Sequence, residues 1–237
     1  LRKEYDFPIF LNSDHTRSLE EVKKAVAAGY DAILFDGGTL PLEENIRQTK
    51  EVVDYVKSVN PKIIVEGELG NIGSGSVIRK ELPPGIALSG PKGVAIKPED
   101  LTKSEDALRF VKETGVDMLA PAVGNLHGMF ANAPEPALDI GRIKAIKKAL
   151  RQAQGKPVPL VLHGGSGNTD ADFLAAIGAG INIIHISTEL RAAWRRGLET
   201  ALKEKPEEIA PYKLLSGSIT AVKEVVRKRL QLFNKLI

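Results

Sequence analysis

The sequence predicts an α/β protein in which helices flank a parallel β-sheet. Three observations support this. Apolar runs of strand length alternate with longer runs whose apolar residues recur at helical spacing. That alternation is typical of parallel sheets, whether closed as a barrel or open and doubly wound. A motif in which Gly ends a helix and Asp or Asn precedes a buried strand also occurs three times, at 29–34, 115–120 and 180–185.

Length and composition narrow the class of protein. The 237 residues allow one large domain or two small ones, and a 43% hydrophobic content excludes a disordered chain. The net charge is +3 and the sequence contains no dense basic tract, so nucleic acid is not an expected partner. No apolar run is long enough to span a membrane. The absence of cysteine excludes disulfides, thiolate metal sites and thiol catalysis. No signal peptide opens the sequence, so we expect a cytoplasmic protein.

Six apolar runs predict the strands of the sheet. Each is short and bounded by polar residues, Gly or Pro, which favours buried strands over helices. In chain order they are Pro8–Asn12, Ala32–Phe35, Ile63–Glu68, Met118–Val123, Leu160–His163 and Ile181–Ile186.

Helices are predicted between these strands. In the first, Leu19, Val22 and Val26 share one face, Ser18 stands three residues before Glu21 as in a capping box, and glycine follows its end. The others are predicted at about 42–59, 104–114, 138–153, 169–178, 188–204 and 218–235.

Residues 71–100 interrupt the alternation of strands and helices. The segment is rich in Gly and Pro and shows neither helical nor strand periodicity. It far exceeds the usual strand-to-helix loop of about 2–6 residues, and long loops of this kind are often functional. We expect a mobile lid within a single domain spanning 1–237, the alternative being an inert insertion.

Polar side chains occupy the carboxyl ends of the predicted strands, where active sites of parallel α/β proteins lie. Acidic residues occur there, as do all four histidines of the chain: His15, His127, His163 and His185. Imidazoles and carboxylates converging on one rim suit zinc or a similar divalent ion. The alternative is a histidine cluster that binds no metal.

Two further segments resemble anion sites. Gly164-Gly165-Ser166-Gly167 follows a predicted strand and precedes a helix, and Ser187-Thr188 starts another helix. Backbone amides and hydroxyls at helix starts favour phosphate. Either motif alone is equally typical of a glycine turn followed by an N-cap.

Five motifs in one order carry a family resemblance. They are Ser13-Asp14-His15, Glu66-Gly67-Glu68-Leu69-Gly70, Gly124-Asn125-Leu126-His127-Gly128, Leu162-His163-Gly164-Gly165-Ser166-Gly167 and Ser187-Thr188-Glu189-Leu190-Arg191. From about Ile9 to its C-terminus the chain resembles the class II, metal-dependent ketose-bisphosphate aldolases, which are TIM barrels. The resemblance implies a (β/α)8 barrel of which about six β/α units are present. The family's first two units, roughly 70–80 residues, have no counterpart before Leu1, so we expect an N-terminally incomplete barrel.

The resemblance also implies roles for individual residues. His15, His127 and His163 match the zinc ligands, and Glu68 and Asp36 match carboxylates that bind the metal in alternate positions or a second cation. Asp14 matches the residue that protonates the aldehyde oxygen. The phosphate of dihydroxyacetone phosphate would lie against Gly128, Gly164, Gly165, Ser166, Ser187 and Thr188. Zinc would polarise the triose carbonyl and stabilise an enediolate that attacks an aldehyde.

Three positions depart from the family pattern. Ser76 occupies the position at which family members carry, in a mobile loop, the Glu that removes the triose proton. His185 replaces an Asn of the family, and Ala131 replaces a Lys. Two residues could supply the missing base, Glu81 in the predicted lid and His185 on the rim. We expect Glu81 to be the base and His185 to orient the enediolate.

Several functions fit this sequence. The resemblance favours a zinc-dependent aldolase that converts fructose 1,6-bisphosphate into dihydroxyacetone phosphate and glyceraldehyde 3-phosphate. Tagatose bisphosphate or a modified ketose phosphate is the alternative substrate. A metal-assisted hydrolase and a non-catalytic phosphosugar-binding relative or inactive fragment are the alternative functions. We expect a homo-oligomer, either a dimer or a tetramer.

Overall fold

The computed structural model describes residues 2–73, 75–80, 87–88, 94–96, 100–133, 135–153 and 157–235. Its strands are β1 (Asn12–Thr16), β2 (Ala32–Phe35), β3 (Ile64–Leu69), β4 (Ile78–Arg79), β5 (Ala87–Leu88), β6 (Val94–Ala95), β7 (Met118–Pro121), β8 (Met129–Phe130), β9 (Leu160–Leu162) and β10 (Ile181–Ile184). Its helices are α1 (Arg2–Tyr5), α2 (Leu19–Ala27), α3 (Leu42–Val59), α4 (Ser104–Thr114), α5 (Ile140–Ala153), α6 (Asp170–Ala179), α7 (Thr188–Glu204) and α8 (Pro211–Phe233).

The main sheet has six parallel strands in the order β1-β2-β3-β7-β9-β10. The predicted α/β class and the six-strand count are therefore confirmed. Its strands bury Ile33, Phe35, Val65, Leu119 and Leu160 almost completely against the surrounding helices. No helix in the described part of the chain is long and apolar enough to cross a membrane.

The position of the first strand was predicted wrongly. We expected Pro8–Asn12, but the paired residues are Asn12–Thr16, and Ile9, Phe10 and Leu11 are exposed. The apolar run lies before the strand, because the polar residues after it are the ones that pair with β2. Hydrophobicity alone therefore placed this strand four residues too early.

The last helix starts earlier than predicted. We expected it at about 218, but α8 begins with Pro211 in its first turn. Gly217 belongs to the helix because α7 and α8 pack closely there. A Cβ added to Gly197 of α7 would lie 2.6 Å from the Cα of Ser218. Gly197 and Gly217 thus allow the backbones of α7 and α8 to approach each other closely.

The recurring Gly-x-Asp/Asn motif has one structural purpose. Asp31 accepts a hydrogen bond from the backbone amide of Leu11, Asp117 accepts one from Val65, and Asn182 accepts one from Leu160. In each case the side chain at a helix-to-strand joint binds the backbone near the start of another strand of the sheet. The repeat predicted from the sequence therefore ties strands together.

The predicted first helix cap is confirmed in part. The Ser18 hydroxyl accepts a hydrogen bond from the Glu21 amide, as expected, but the Glu21 carboxylate accepts from the Arg17 amide instead of returning to Ser18. The helix still gains an acidic side chain at its N-terminal end, where the helix dipole favours one.

A long connection links β3 to α4. Its described parts include β4, which pairs in parallel with β8, and β5, which pairs antiparallel with β6. The predicted lid, 71–100, lies partly outside the described residues, so its role as a lid stays a prediction. The β4–β8 pair attaches the first half of this connection to the segment that follows β7.

The main sheet is strongly curled. Four strand spacings separate β1 from β9 in the sheet order, which would amount to about 19 Å in a flat sheet. The rings of His15 on β1 and His163 just after β9 nevertheless have centroids 5.1 Å apart. The sheet therefore bends into a half-barrel that brings distant strands to one site.

Candidate functional site

An irregularity in β1 brings two consecutive side chains to the site. Consecutive residues of a regular strand point to opposite faces. The register of β1 against β2 shifts between Ser13 and Thr16, and His15 has a φ of 53°. Strand irregularities of this kind redirect side chains. Asp14 and His15 consequently both line the same cleft.

His15, His127 and His163, here called the histidine cluster, converge at the mouth of the half-barrel. One side-chain nitrogen of each lies within 4.8 Å of the corresponding nitrogens of the other two. The two Nε2 atoms of His15 and His127 are 3.1 Å apart. The structure brings together the three side chains that were predicted as zinc ligands, and their role as ligands stays a prediction.

Each ring of the cluster is oriented by an oxygen behind it. His15 Nδ1 donates to Asp36 Oδ2 at 3.0 Å, and His127 Nδ1 donates to the carbonyl oxygen of Gly73 at 3.0 Å. His163 Nε2 donates to Glu66 Oε1 at 2.9 Å. When each ring carries its proton on the nitrogen that makes these bonds, its other nitrogen is free to bind a metal ion.

The arrangement fits a divalent metal ion. The Nε2 atoms of His15 and His127, 3.1 Å apart, require either a proton or a metal cation between them. Zinc–nitrogen bonds of about 2.0–2.1 Å in tetrahedral geometry place two ligand nitrogens about 3.3 Å apart. Behind His15, the Oε2 atom of Glu68 is buried, has no hydrogen-bond partner within the described residues, and lies 3.7 Å from His15 Nδ1.

Burial and charge set the protonation of these groups. Burial lowers the pKa of His127 and His163, which keeps both rings neutral and able to bind a cation. Burial opposes protonation of His15, but the hydrogen bond to Asp36 and the charge of Asp14 outweigh it and raise its pKa.

The carboxyl groups near the cluster are shifted in opposite directions. Burial raises the pKa of Glu66 to about 7 and that of Glu68 to about 9, with the Asp36 charge adding to the latter. Burial also disfavours ionisation of Asp36, yet its bonds to His15 and Arg17 hold its pKa at about 2. Asp36 is therefore the permanent anion of the site.

The fourth histidine lies beside the cluster. The rings of His185 and His163 have centroids 4.2 Å apart, and His185 Nδ1 is 3.8 Å from Asp14 Oδ1. Burial lowers the pKa of His185. Together with His163 and Asp14 it forms a second group able to surround a cation.

Two donor-rich segments, 164–167 and 187–188, border the cleft next to the cluster; we call them the anion cradle. The Ser166 hydroxyl oxygen accepts hydrogen bonds from the amides of Ser187 and Glu189, each at 3.3 Å. Its hydroxyl hydrogen is then left to donate to a ligand. Ser187 stands at the start of α7, where amides favour an anion.

Most of the predicted site residues line one cleft of about 600 Å³. Asp36 and Glu68 instead face a smaller cavity behind His15, together with Arg17. Gly165 is buried beneath the rim, where its amide donates to the carbonyl of His185. Glu81 lies outside the described residues. The predicted residues in the main cleft are Asp14, His15, His127, Gly128, His163, Gly164, Ser166, His185, Ser187 and Thr188.

Sequence reasoning assigned no role to three other residues near the site. Arg17 and Arg191 line the cleft, where Arg191 Nε donates to Ser187 Oγ at 3.1 Å. Glu66 orients His163, as described above. Arg191 and Glu66 belong to motifs that were recognised, and Arg17 follows His15 by two residues. The sequence signal for Arg191 and Glu66 was therefore their position within a motif, and the signal for Arg17 was its proximity to His15.

Comparison with known proteins supports the interpretation of these motifs. The family model described as "Fructose-bisphosphate aldolase class-II" matches residues 1–236. The chain is 34% identical over 232 residues to a sulfofructosephosphate aldolase of Alkalicoccus urumqiensis, covering 98% of this chain and 73% of that protein.

Two further comparisons agree. The chain is 37% identical over 227 residues to a 6-phospho-5-dehydro-2-deoxy-D-gluconate aldolase of Shouchella clausii (strain KSM-K16), covering 96% of this chain and 69% of that one. The crystal structure of the YdjI aldolase from Escherichia coli K12 superposes with a TM-score of 0.72 at 31% identity, covering 98% of this chain and 71% of that chain.

Proposed function

This chain belongs to the class II fructose-bisphosphate aldolase family and is a carbon–carbon lyase, and we propose that it is a zinc-dependent aldolase that cleaves and forms a phosphorylated ketose. The observation that carries this proposal is the convergence of three histidine nitrogens within 4.8 Å of one another beside the anion cradle.

His15, His127 and His163 would hold the zinc ion, with Asp36 and Glu68 available for a displaced or second cation. When bound, zinc acts as a Lewis acid that polarises the substrate carbonyl. The fixed orientation of all three rings supports this assignment, since their partners Asp36, Gly73 and Glu66 hold them before any ion arrives.

The anion cradle would bind the phosphate of dihydroxyacetone phosphate. Gly164, Ser166, Ser187 and Thr188 line the cleft. The Ser166 hydroxyl hydrogen is left to donate to a phosphate, because its oxygen accepts from the Ser187 and Glu189 amides. Gly165 would support the loop from beneath, where its amide binds the His185 carbonyl. Gly128 borders the same cleft from the segment after β7. The phosphate would anchor the triose with its carbonyl toward the histidine cluster.

Proton transfer would involve three residues. Asp14 is half exposed in the cleft and lies 3.8 Å from both His15 and His185, a position suited to delivering a proton to an aldehyde oxygen. Glu81 would remove the triose proton when the lid closes, in place of the family Glu that Ser76 replaces. His185 would orient the substrate oxygens from the rim, where His163 supports its ring.

Fructose 1,6-bisphosphate is the first substrate to test. A modified ketose monophosphate is the specific alternative, because the two relatives above are named for sulfofructosephosphate and for a phosphorylated deoxygluconate derivative. Tagatose bisphosphate is a further candidate. Arg17 and Arg191 in the cleft wall suit either an additional phosphate or another anionic group.

Solvent exchange of the triose proton tests the proposal directly. Zinc-loaded protein is incubated with dihydroxyacetone phosphate in deuterated water. Loss of the proton signal of the hydroxymethyl carbon is followed by NMR. We expect exchange in the wild type, strong slowing in Glu81→Gln, and normal exchange in the control Glu105→Gln, which alters an exposed residue of α4.

The outcomes separate the alternatives. If His185→Ala abolishes exchange while Glu81→Gln does not, the two roles are reversed; if neither variant slows exchange, both assignments are wrong. Wild-type protein that binds the triose phosphate without exchange would be a non-catalytic relative. Hydrolysis without exchange would indicate a metal-assisted hydrolase.

A further inference from the structure

The C-terminal helix α8 makes a bidentate ion pair with the start of α7. Arg229 of α8 donates from Nε and Nη2 to the two carboxylate oxygens of Glu189, at 2.9 and 2.7 Å. Its Nη1 donates to Asp170 at 2.8 Å, and the guanidinium carbon lies 4.7 Å from the ring centroid of Phe173. Arg229 and Glu189 have only 19% and 12% of their side chains exposed, so solvent screens this pair weakly.

Glu189 in turn holds both segments of the anion cradle. Its Oε1 accepts a hydrogen bond from the amide of Gly167 at 2.9 Å, and its own amide donates to the Ser166 hydroxyl oxygen. One residue thus connects the loop after β9 to the first turn of α7. The position of its carboxylate sets the position of Gly167 and, through the loop, of Ser166.

Arg229 has no direct access to the main cleft. Arg229 and Glu189 border a separate cavity together with Asp170, and neither lines the main cleft. The chain of contacts runs from Arg229 to Glu189 to Gly167 and Ser166. This chain of contacts is the path by which Arg229 can fix the position of the anion cradle.

We infer that Arg229 is a positioning residue for phosphate binding, which acts by fixing Glu189 and thereby the anion cradle. This inference rests on the proposed function, since it assigns the cradle to the substrate phosphate. It predicts a selective defect: weaker binding of phosphorylated ligands, with the histidine cluster and the bond-making step unaffected. The fixed Glu189–Arg229 pair also neutralises a carboxylate that would otherwise repel a phosphate.

The test compares Arg229→Gln with Arg227→Gln, an exposed arginine on the same helix that pairs only locally with Glu224. We expect Arg229→Gln to raise the Kd for inorganic phosphate and the KM for the phosphorylated ketose about tenfold, as for loss of one charge-assisted contact. Its kcat and its zinc affinity should change less than about twofold. Arg227→Gln should match the wild type in all four quantities.

Three further variants keep the inference testable if Arg229→Gln folds poorly. Arg229→Lys retains the charge and should recover part of the phosphate affinity. Glu189→Ala, which removes the acceptor for the Gly167 amide, should reproduce the phosphate defect. The Glu189→Ala/Arg229→Gln double variant should be no worse than either single variant, because both changes break one chain of contacts.

The outcomes also separate this inference from the proposed function. Protein that turns over no ketose, yet binds phosphate with an affinity that Arg229→Gln weakens, would contradict the proposed function and support the inference. Active protein whose phosphate Kd and KM are unchanged in both Arg229→Gln and Glu189→Ala would overturn the inference. Wild-type protein that binds no phosphate would overturn the inference as well.

Discussion

Single residues at the site are fixed by the backbone beneath them. Gly164 follows His163 and has a φ of 59°, a conformation that L side chains rarely adopt. A Cβ there would lie 2.4 Å from the carbonyl oxygen of Leu126 and 2.9 Å from the amide of His127. Because those atoms are backbone, they cannot rotate away. Gly164 therefore allows two ligand-bearing segments to touch.

We expect Gly164→Ala to destabilise the protein by more than about 2 kcal/mol, since strain at positive φ adds to displacement of the Leu126–His127 backbone. It should also weaken metal binding by moving His127. Denaturant unfolding and a zinc titration measure the two effects.

Gly178→Ala is the matched control for this substitution. Gly178 lies in α6, is exposed, and a Cβ there would meet no atom within 4 Å. Alanine should stabilise the helix by up to about 1 kcal/mol. Equal unfolding midpoints for the two variants would show that the contact at Leu126 is not tight.

Some properties of the individual site residues could be predicted from the sequence. The four histidines could be assigned to one rim, because each follows or ends an apolar run. That Asp14 and His15 both reach the cleft was implied by the family resemblance and not by periodicity, since consecutive residues of a regular strand point to opposite faces; the local irregularity of β1 brings both to the cleft. The orientation of the His127 ring could not be predicted from the sequence either, because the backbone carbonyl of Gly73 fixes it.

At the scale of elements, the helix-to-strand joints stabilise the sheet. Asp117 Oδ2 accepts from the Val65 amide at 2.9 Å and from Lys57 Nζ at 2.6 Å, and Lys57 also donates to the carbonyl of Ile63. One carboxylate thus joins α3, β3 and the start of β7. Both side chains of the ion pair are largely buried.

We expect Asp117→Ala to lower the free energy of unfolding by about 1–3 kcal/mol, because the Val65 amide loses its partner and Lys57 its counter-ion. Asp117→Asn should cost less, since an amide oxygen can still accept from Val65, as Asn182 accepts from Leu160 in the equivalent joint. Urea denaturation of both variants gives the comparison.

Asp54→Ala provides the control for Asp117. Asp54 pairs with Lys50 on the exposed face of α3, and such pairs contribute about 0–1 kcal/mol. A cost for Asp117→Ala no larger than that for Asp54→Ala would contradict the proposed importance of the joint.

The helices and strands were predictable to different degrees. The recurring Gly-x-Asp/Asn motif located three joints correctly, because the Asp or Asn two residues after the helix-ending Gly binds the backbone near the start of a neighbouring strand. The start of α8 was not predictable, since the need for Gly217 comes from packing against Gly197, a contact 20 residues away in the chain.

At the scale of the whole molecule, the site exists only because the sheet curls. His15 lies on the first strand of the sheet order, and His127 and His163 follow the fourth and fifth. The curl was predicted from the family resemblance and not from periodicity, which fits open and closed sheets alike. The outer edges of β1 and β10 have no strand partner in the described part of the chain. The (β/α)8 barrel in which these edges would pair remains a prediction.

A metal ion held by the histidine cluster would therefore link distant parts of the sheet and stabilise the whole fold. Ligand binding to the native state alone adds about 2.7 kcal/mol at a hundredfold excess over Kd. For a chain of this size that corresponds to a rise in Tm of about 5–11 °C. We expect zinc to produce such a rise in metal-free protein and EDTA to reverse it, as measured by calorimetry.

Two histidine variants identify which group of side chains holds the ion. His15→Asn should abolish the rise, because His15 contributes one of the three converging nitrogens. His185→Asn should retain it, since His185 lies outside the cluster and only borders His163. The reverse result would place the ion between Asp14, His163 and His185. In that case the curl of the sheet would still bring the ligands together, but β1 would contribute Asp14 in place of His15.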